Sequence, residues 1–156
     1  MYREDGEMKK TTRRQAREWA IQMLTAADLN PSDAETVSAD FWAQMRTLDD
    51  EDGGNGGEIP RAKMRAFAEE RVAGVLGTLD EIDEALSPML AEGGWDIGRL
   101  GTIERAVLRM AVWEMRHTDI PKPVVINEAI DLVNWFSSAK SRTIVNGILD
   151  RYAKSL

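Results

Sequence analysis

The residues best suited to chemistry lie close to the N-terminus. Positions 8–17 read Met-Lys-Lys-Thr-Thr-Arg-Arg-Gln-Ala-Arg, five positive charges and no negative one, in a 156-residue chain of formal net charge −7. Lys10, Arg13, Arg14 and Arg17 stand at i, i+3, i+4 and i+7, a spacing that puts all four on one helix face. A one-sided basic stripe can track a phosphate backbone, so nucleic-acid binding is one reading, and a solvated surface face is the other. Thr11 or Thr12 is the expected N-cap, which places Arg13 and Arg14 in the first turn. Cations there oppose the helix macrodipole and cost about 0.3–1 kcal/mol each when exposed. Bound phosphate reverses that penalty, which favours the phosphate track.

The elements that must carry this stripe follow from apolar spacing. Ala16, Trp19, Ala20, Met23, Leu24 and Ala27 recur at helix period on the side away from the stripe. Asn30-Pro31 ends that helix. Ser32 with Glu35 reads as a capping box for a second helix, whose seam is Ala34, Val37, Phe41, Met45 and Leu48. Residues 49–58 hold five acidic residues and four glycines without a hydrophobe, and read as a mobile acidic insertion. Pro60 opens a third helix with Met64, Phe67, Ala68, Val72, Val75, Leu76 and Leu79 on its buried face. A break near Gly77, with Thr78 and Glu81 as another capping box, leads to Ile82, Leu86, Met89 and Leu90, ending at Gly93-Gly94. Leu100 to Met115, Val125 to Phe136 and Ile144 to Tyr152 supply three more helical seams. No segment alternates with period two, so the expected fold is all-α with about seven helices. Residues 1–11 are expected to form a flexible basic N-terminal extension, and 12–156 one helical domain.

Composition narrows the function. Hydrophobic content of 43% with 30% charged residues is that of a globular chain. No apolar run approaches the roughly 18 residues that span a bilayer. Met1 to Glu7 is polar, unlike a signal peptide, and there is no cysteine, so the expected compartment is the cytoplasm. The lone histidine, His117, sits in a polar stretch and reads as incidental. The glycines at 53–57 lack the Lys-Ser/Thr of a phosphate loop. Asp80/Glu81 and Asp83/Glu84 suit a solvated helix face. The expectation is a binding protein with no catalytic residue, metal or cofactor.

The second half carries a recognisable set of segments: Trp95 to Leu100 (WDIGRL), Ile103 to Met115 (IERAVLRMAVWEM), Ile120-Pro121 leading to Val125 to Leu132 (VINEAIDL), and Val145 to Asp150 (VNGILD). With the N-terminal RRQAREWAIQML, this order and spacing resembles the NusB family of transcription antitermination factors, over residues 12–30 and 64–153. The resemblance implies two small helical subdomains, binding to single-stranded boxA RNA of ribosomal operons, a heterodimer with NusE (ribosomal protein S-ten), and entry into an RNA polymerase antitermination complex. Some relatives form homodimers. Six residues follow Asp150, so no fused methyltransferase is expected. Arg13, Arg14 and Arg17 then become the leading RNA contacts with Lys10, joined by Lys140, Arg142 and Thr143 before the last helix. Glu104 and Lys122 are the corresponding partner-binding candidates. Asn127, Glu128, Asn146 and Gly147 are expected to orient helix ends. Arg99, Arg105 and Arg109 either pair with acidic neighbours or extend the RNA surface.

The chain departs from the family pattern at three of these places. Lys140 replaces a frequent acidic residue, Ile144 a frequent aromatic, and Thr25 a common tyrosine. Lost aromatics remove base-stacking platforms, each worth about 1–3 kcal/mol. An alternative therefore stands beside RNA binding: a diverged protein-interaction module, or a homodimer, without sequence-specific RNA recognition.

Overall fold

A computed structural model describes residues 12–51 and 62–156, and among these it holds seven α-helices and one 3₁₀ turn. They are α1 (Thr12–Leu29), α2 (Ala34–Glu51), α3 (Ala62–Gly77), α4 (Leu79–Glu92), the turn Ile97–Arg99, α5 (Thr102–His117), α6 (Lys122–Phe136) and α7 (Ala139–Ser155). The expected all-α class and helix order are those observed. The expected N-terminal extension, Pro60 and most of the acidic insertion lie outside the described residues. The helix of α2 runs to Glu51, three residues into the segment expected as a loop. Two compact units divide the chain, one up to Ala73 and one from Gly74 to Leu156, so the boundary falls inside α3.

In the first unit the predicted seam of α1 is inward: Ala16, Ala20, Met23 and Leu24 are buried, with Val37 and Trp42 of α2 and Ala68 and Val72 of α3. Trp42 meets Trp19 edge-on at 5.4 Å and Phe41 at 5.1 Å. Aromatic pairs favour this geometry because a positive ring edge faces a negative ring face. The Trp42 Nε1 donates to Glu69 Oε2 at 2.6 Å, tying α2 to α3. The expected Ser32–Glu35 capping box is replaced by Asp33, whose Oδ1 accepts the Thr36 amide at 2.8 Å. That amide and the Thr36 hydroxyl hold the Asp33 carboxyl below the usual aspartate range.

In the second unit α5 packs against α4, α6 and α7. Residues Met110 to Glu114 are all buried, as expected of a helix surrounded on several sides. Arg109 grips Asp83 of α4 through two bonds of 2.8 Å. Arg151 of α7 reaches the Met89 carbonyl at 2.9 Å and Glu92 at 2.9 Å. Gly74 lies so close to the Trp113 indole that no side chain fits between them. The predicted stop at Gly93-Gly94 is a Schellman motif: Trp95 N–H donates to Leu90 and Gly94 N–H to Ala91, with Gly94 at φ +82°. A second expected capping box is absent. The Thr78 hydroxyl turns back to the Gly74 carbonyl at 2.8 Å and makes no cap bond.

Candidate nucleic-acid interface

The basic stripe divides once its side chains are placed. Lys10 lies outside the described residues. Arg13 and Arg14 occupy the first turn of α1, which contains no acidic residue; Arg13 is exposed and Arg14 half-buried. Arg17, one turn further on, is only 5% exposed. Phe67 of α3 lies beside it. The Arg13 guanidinium lies 5.7 Å from the Phe67 ring centroid, that of Arg17 at 5.3 Å, and that of Arg71 at 3.5 Å. A ring face attracts cations through its quadrupole. Arg71, 2% exposed, also donates to the Phe67 carbonyl at 3.4 Å and pairs with Glu70 at 3.0 Å. Phe67 was legible as a core position but not as a seat for cations, and Arg71 was missed. Their i, i+4 spacing on α3 was the available signal.

The second basic group gathers at the start of α7. Ser138 caps the helix by accepting the Ser141 amide at 3.3 Å. Lys140, Arg142 and Thr143 are all exposed, and the first turn has no acidic residue. Arg142 Nη1 donates to Asn134 Oδ1 at 3.4 Å, and the Thr143 hydroxyl to the Ala139 carbonyl at 3.5 Å. A helix N-terminus with two cations attracts anions.

The two partner-binding candidates lie at opposite ends of α5. Glu104, in the first turn, is half-buried and accepts the Ser137 hydroxyl at 2.6 Å and that of Ser141. Burial alone pushes its carboxyl up. The two hydroxyls and its own backbone amide outweigh that and hold it below the usual glutamate range. Glu104 therefore joins the corner between α6 and α7 that also carries Lys140 and Arg142. Lys122 opens α6, and lines an open groove of about 740 Å³ with Glu81, Glu84 and Arg116. With a rise of 1.5 Å per residue, Arg116 in that groove stands roughly 18 Å along α5 from Glu104.

The remaining sequence candidates are mostly structural. Arg109 pairs with Asp83, and Arg105 donates to the Ile97 and Leu100 carbonyls at 3.1 and 2.9 Å, fixing the 3₁₀ turn onto α5. Arg99 is exposed, 6.0 Å from the Trp95 ring. Asn127 and Asn146 sit within α6 and α7 with exposed side chains, so they do not orient helix ends as expected; Ser138 and Asp33 do such work. Thr25 donates to the Gln22 carbonyl at 2.9 Å, and Ile144 is half-buried. Among the described residues no group of three or more His, Asp or Glu side chains is placed to hold a metal ion. No described helix is long and apolar enough to cross a membrane.

The family model described as the NusB family matches residues 14–154. The chain belongs to the NusB family. It is 37% identical to the transcription antitermination protein NusB of Sorangium cellulosum over 90% of either chain. Among solved structures it is similar to T. maritima NusB, with a TM-score of 0.74 and 29% identity, covering 93% of this chain and 92% of that one. It is also similar to a chain in the crystal structure of antitermination factors NusB and NusE in complex with dsRNA. There the TM-score is 0.70 and the identity 25%, covering 93% and 98% of the two chains.

Proposed function

We propose that this chain is an RNA-binding transcription antitermination factor of the bacterial cytoplasm, which binds boxA-like single-stranded RNA of ribosomal operons together with NusE and works within an RNA polymerase antitermination complex. The observation that carries this reading is family membership over nearly the whole chain, with a NusB–NusE–RNA complex among its structural relatives. The arginine array on α1 supports it independently. Arg13 and Arg14 stand in a helix first turn without a carboxylate, where phosphate is the complementary charge.

Each group has a physical role in this reading. Lys10, Arg13 and Arg14 contact phosphates. Arg17, buried against Phe67, sets the direction of that face. Lys140, Arg142 and Thr143 form a second phosphate contact at the start of α7. Glu104 and Lys122 meet the protein partner. Nothing in this scheme requires bond making or breaking.

The test is gel-shift titration of a boxA RNA and a scrambled RNA, with and without NusE. Preference for boxA that strengthens when NusE is added is the expected result. Capture of NusE without any boxA preference, or self-association that blocks RNA, would replace this reading with that of a protein-interaction module.

A further inference from the structure

Trp135 is 73% exposed. The other tryptophans are placed differently. Trp42 and Trp113 are buried, and Trp19 and Trp95 are half-buried. On α6 the inward seam is Val125, Ala129, Leu132 and Val133. At 100° per residue Trp135 lies about a quarter turn off that seam. Packing of the unit therefore does not account for an indole at this position.

Its surroundings indicate a ligand with both π-faces and negative charge. The preceding residue, Asn134, accepts a hydrogen bond from Arg142, which links the basic first turn of α7 to the last turn of α6, the turn that carries Trp135. Lys140 and Arg142 are exposed cations, and Ser138 caps the same turn. Glu104, whose carboxylate reaches this corner, accepts the Ser137 and Ser141 hydroxyls. Asp131, one turn back along α6, is exposed on the same helix face as Trp135. Single-stranded nucleic acid supplies what this surface lacks, because phosphates match the cations and any base offers a face to the indole.

We propose that Trp135 is a base-stacking platform for single-stranded RNA, working beside the basic first turn of α7. The proposal rests on the RNA-binding reading above and deepens it. It also answers the departures at Thr25 and Ile144: stacking lost from those positions is supplied from the last turn of α6.

The experiment is equilibrium binding of labelled boxA RNA, and of an equal-length RNA bearing abasic sites, to wild type, Trp135→Ala and Trp135→Phe at two salt concentrations. Trp135→Ala is expected to weaken boxA binding about 5- to 150-fold, while Trp135→Phe retains most of the affinity. The salt slope should be unchanged, because no phosphate contact is lost. Abasic RNA should not distinguish the three proteins, and their melting curves should coincide, since an exposed substitution rarely shifts stability by more than about 0.5 kcal/mol. Equal boxA affinity of wild type and Trp135→Ala overturns the platform alone, as does loss of NusE capture or self-association in place of RNA affinity. Wild type that binds no RNA at either salt concentration overturns the RNA-binding reading and the platform with it.

Discussion

On α1 the guanidinium of Arg17 is buried over Phe67, with Arg71 closer still to the same ring and Arg13 at its outer side. At the start of α7, Lys140 and Arg142 stand in solvent, and the Arg142 guanidinium makes a long hydrogen bond to Asn134. The contrast concerns preorganisation. Side chains held before a ligand arrives lose little freedom on binding, whereas exposed ones lose about 0.5–1.5 kcal/mol each. In the proposed function Arg17 and Arg71, held against Phe67, set where the α1 face meets a phosphate chain, and the exposed α7 corner adds attraction and a stacking surface. Phosphate contacts position a nucleic acid, and contacts to bases specify it.

Four variants would break or sharpen that contrast. The largest effect is expected from Arg13→Ala with Arg14→Ala. Losing two charge-assisted contacts should weaken RNA binding on the order of 100-fold at low salt and make the salt slope shallower by about 1.4. Circular dichroism should be unchanged. Next, Phe67→Leu keeps every charge but removes the ring beneath them. It should lower stability by about 1–2 kcal/mol in denaturant titration and weaken RNA binding severalfold, with the slope retained. An unaltered affinity would show that the ring only packs.

A smaller effect is expected at Glu104. Its folded carboxyl titrates below the ordinary glutamate range, so its stabilisation is complete above about pH 4.3 and is lost as pH falls through the folded value. Glu104→Gln should cost about 0.5–1 kcal/mol at pH 7, allowing for partial exposure, and the two proteins should converge in strongly acidic melts. Smallest of all, Lys140→Ala should weaken binding to boxA and scrambled RNA alike, by a fewfold, with a slope change near 0.7. A selective loss of boxA binding would mean that Lys140 reads bases.

The helices were legible because their apolar residues repeat every 3.6 positions, which depends only on near neighbours. The seam of α1 and the glycine stop after α4 are cases in point. Caps were less legible, because Ser32 and Asp33 are both capable of accepting an N-terminal amide and only the local backbone decides between them. The site was half legible. Spacing showed that Arg13, Arg14 and Arg17 share a face, but not that Arg17 is buried close to Phe67, fifty residues beyond it. Glu104 was recognised by family position, while its serine partners arrive from a corner more than thirty residues away. Such long-range contacts leave no periodic trace.

The central claim is that the α1 face serves as a phosphate track for boxA-like RNA, and salt-dependent binding tests it most directly. Wild type titrated with labelled boxA RNA across a salt series should show log K falling with log salt at a slope of about −3, as four or five phosphate contacts imply. A flat slope, or one that Arg13→Ala with Arg14→Ala leaves unchanged, would contradict it.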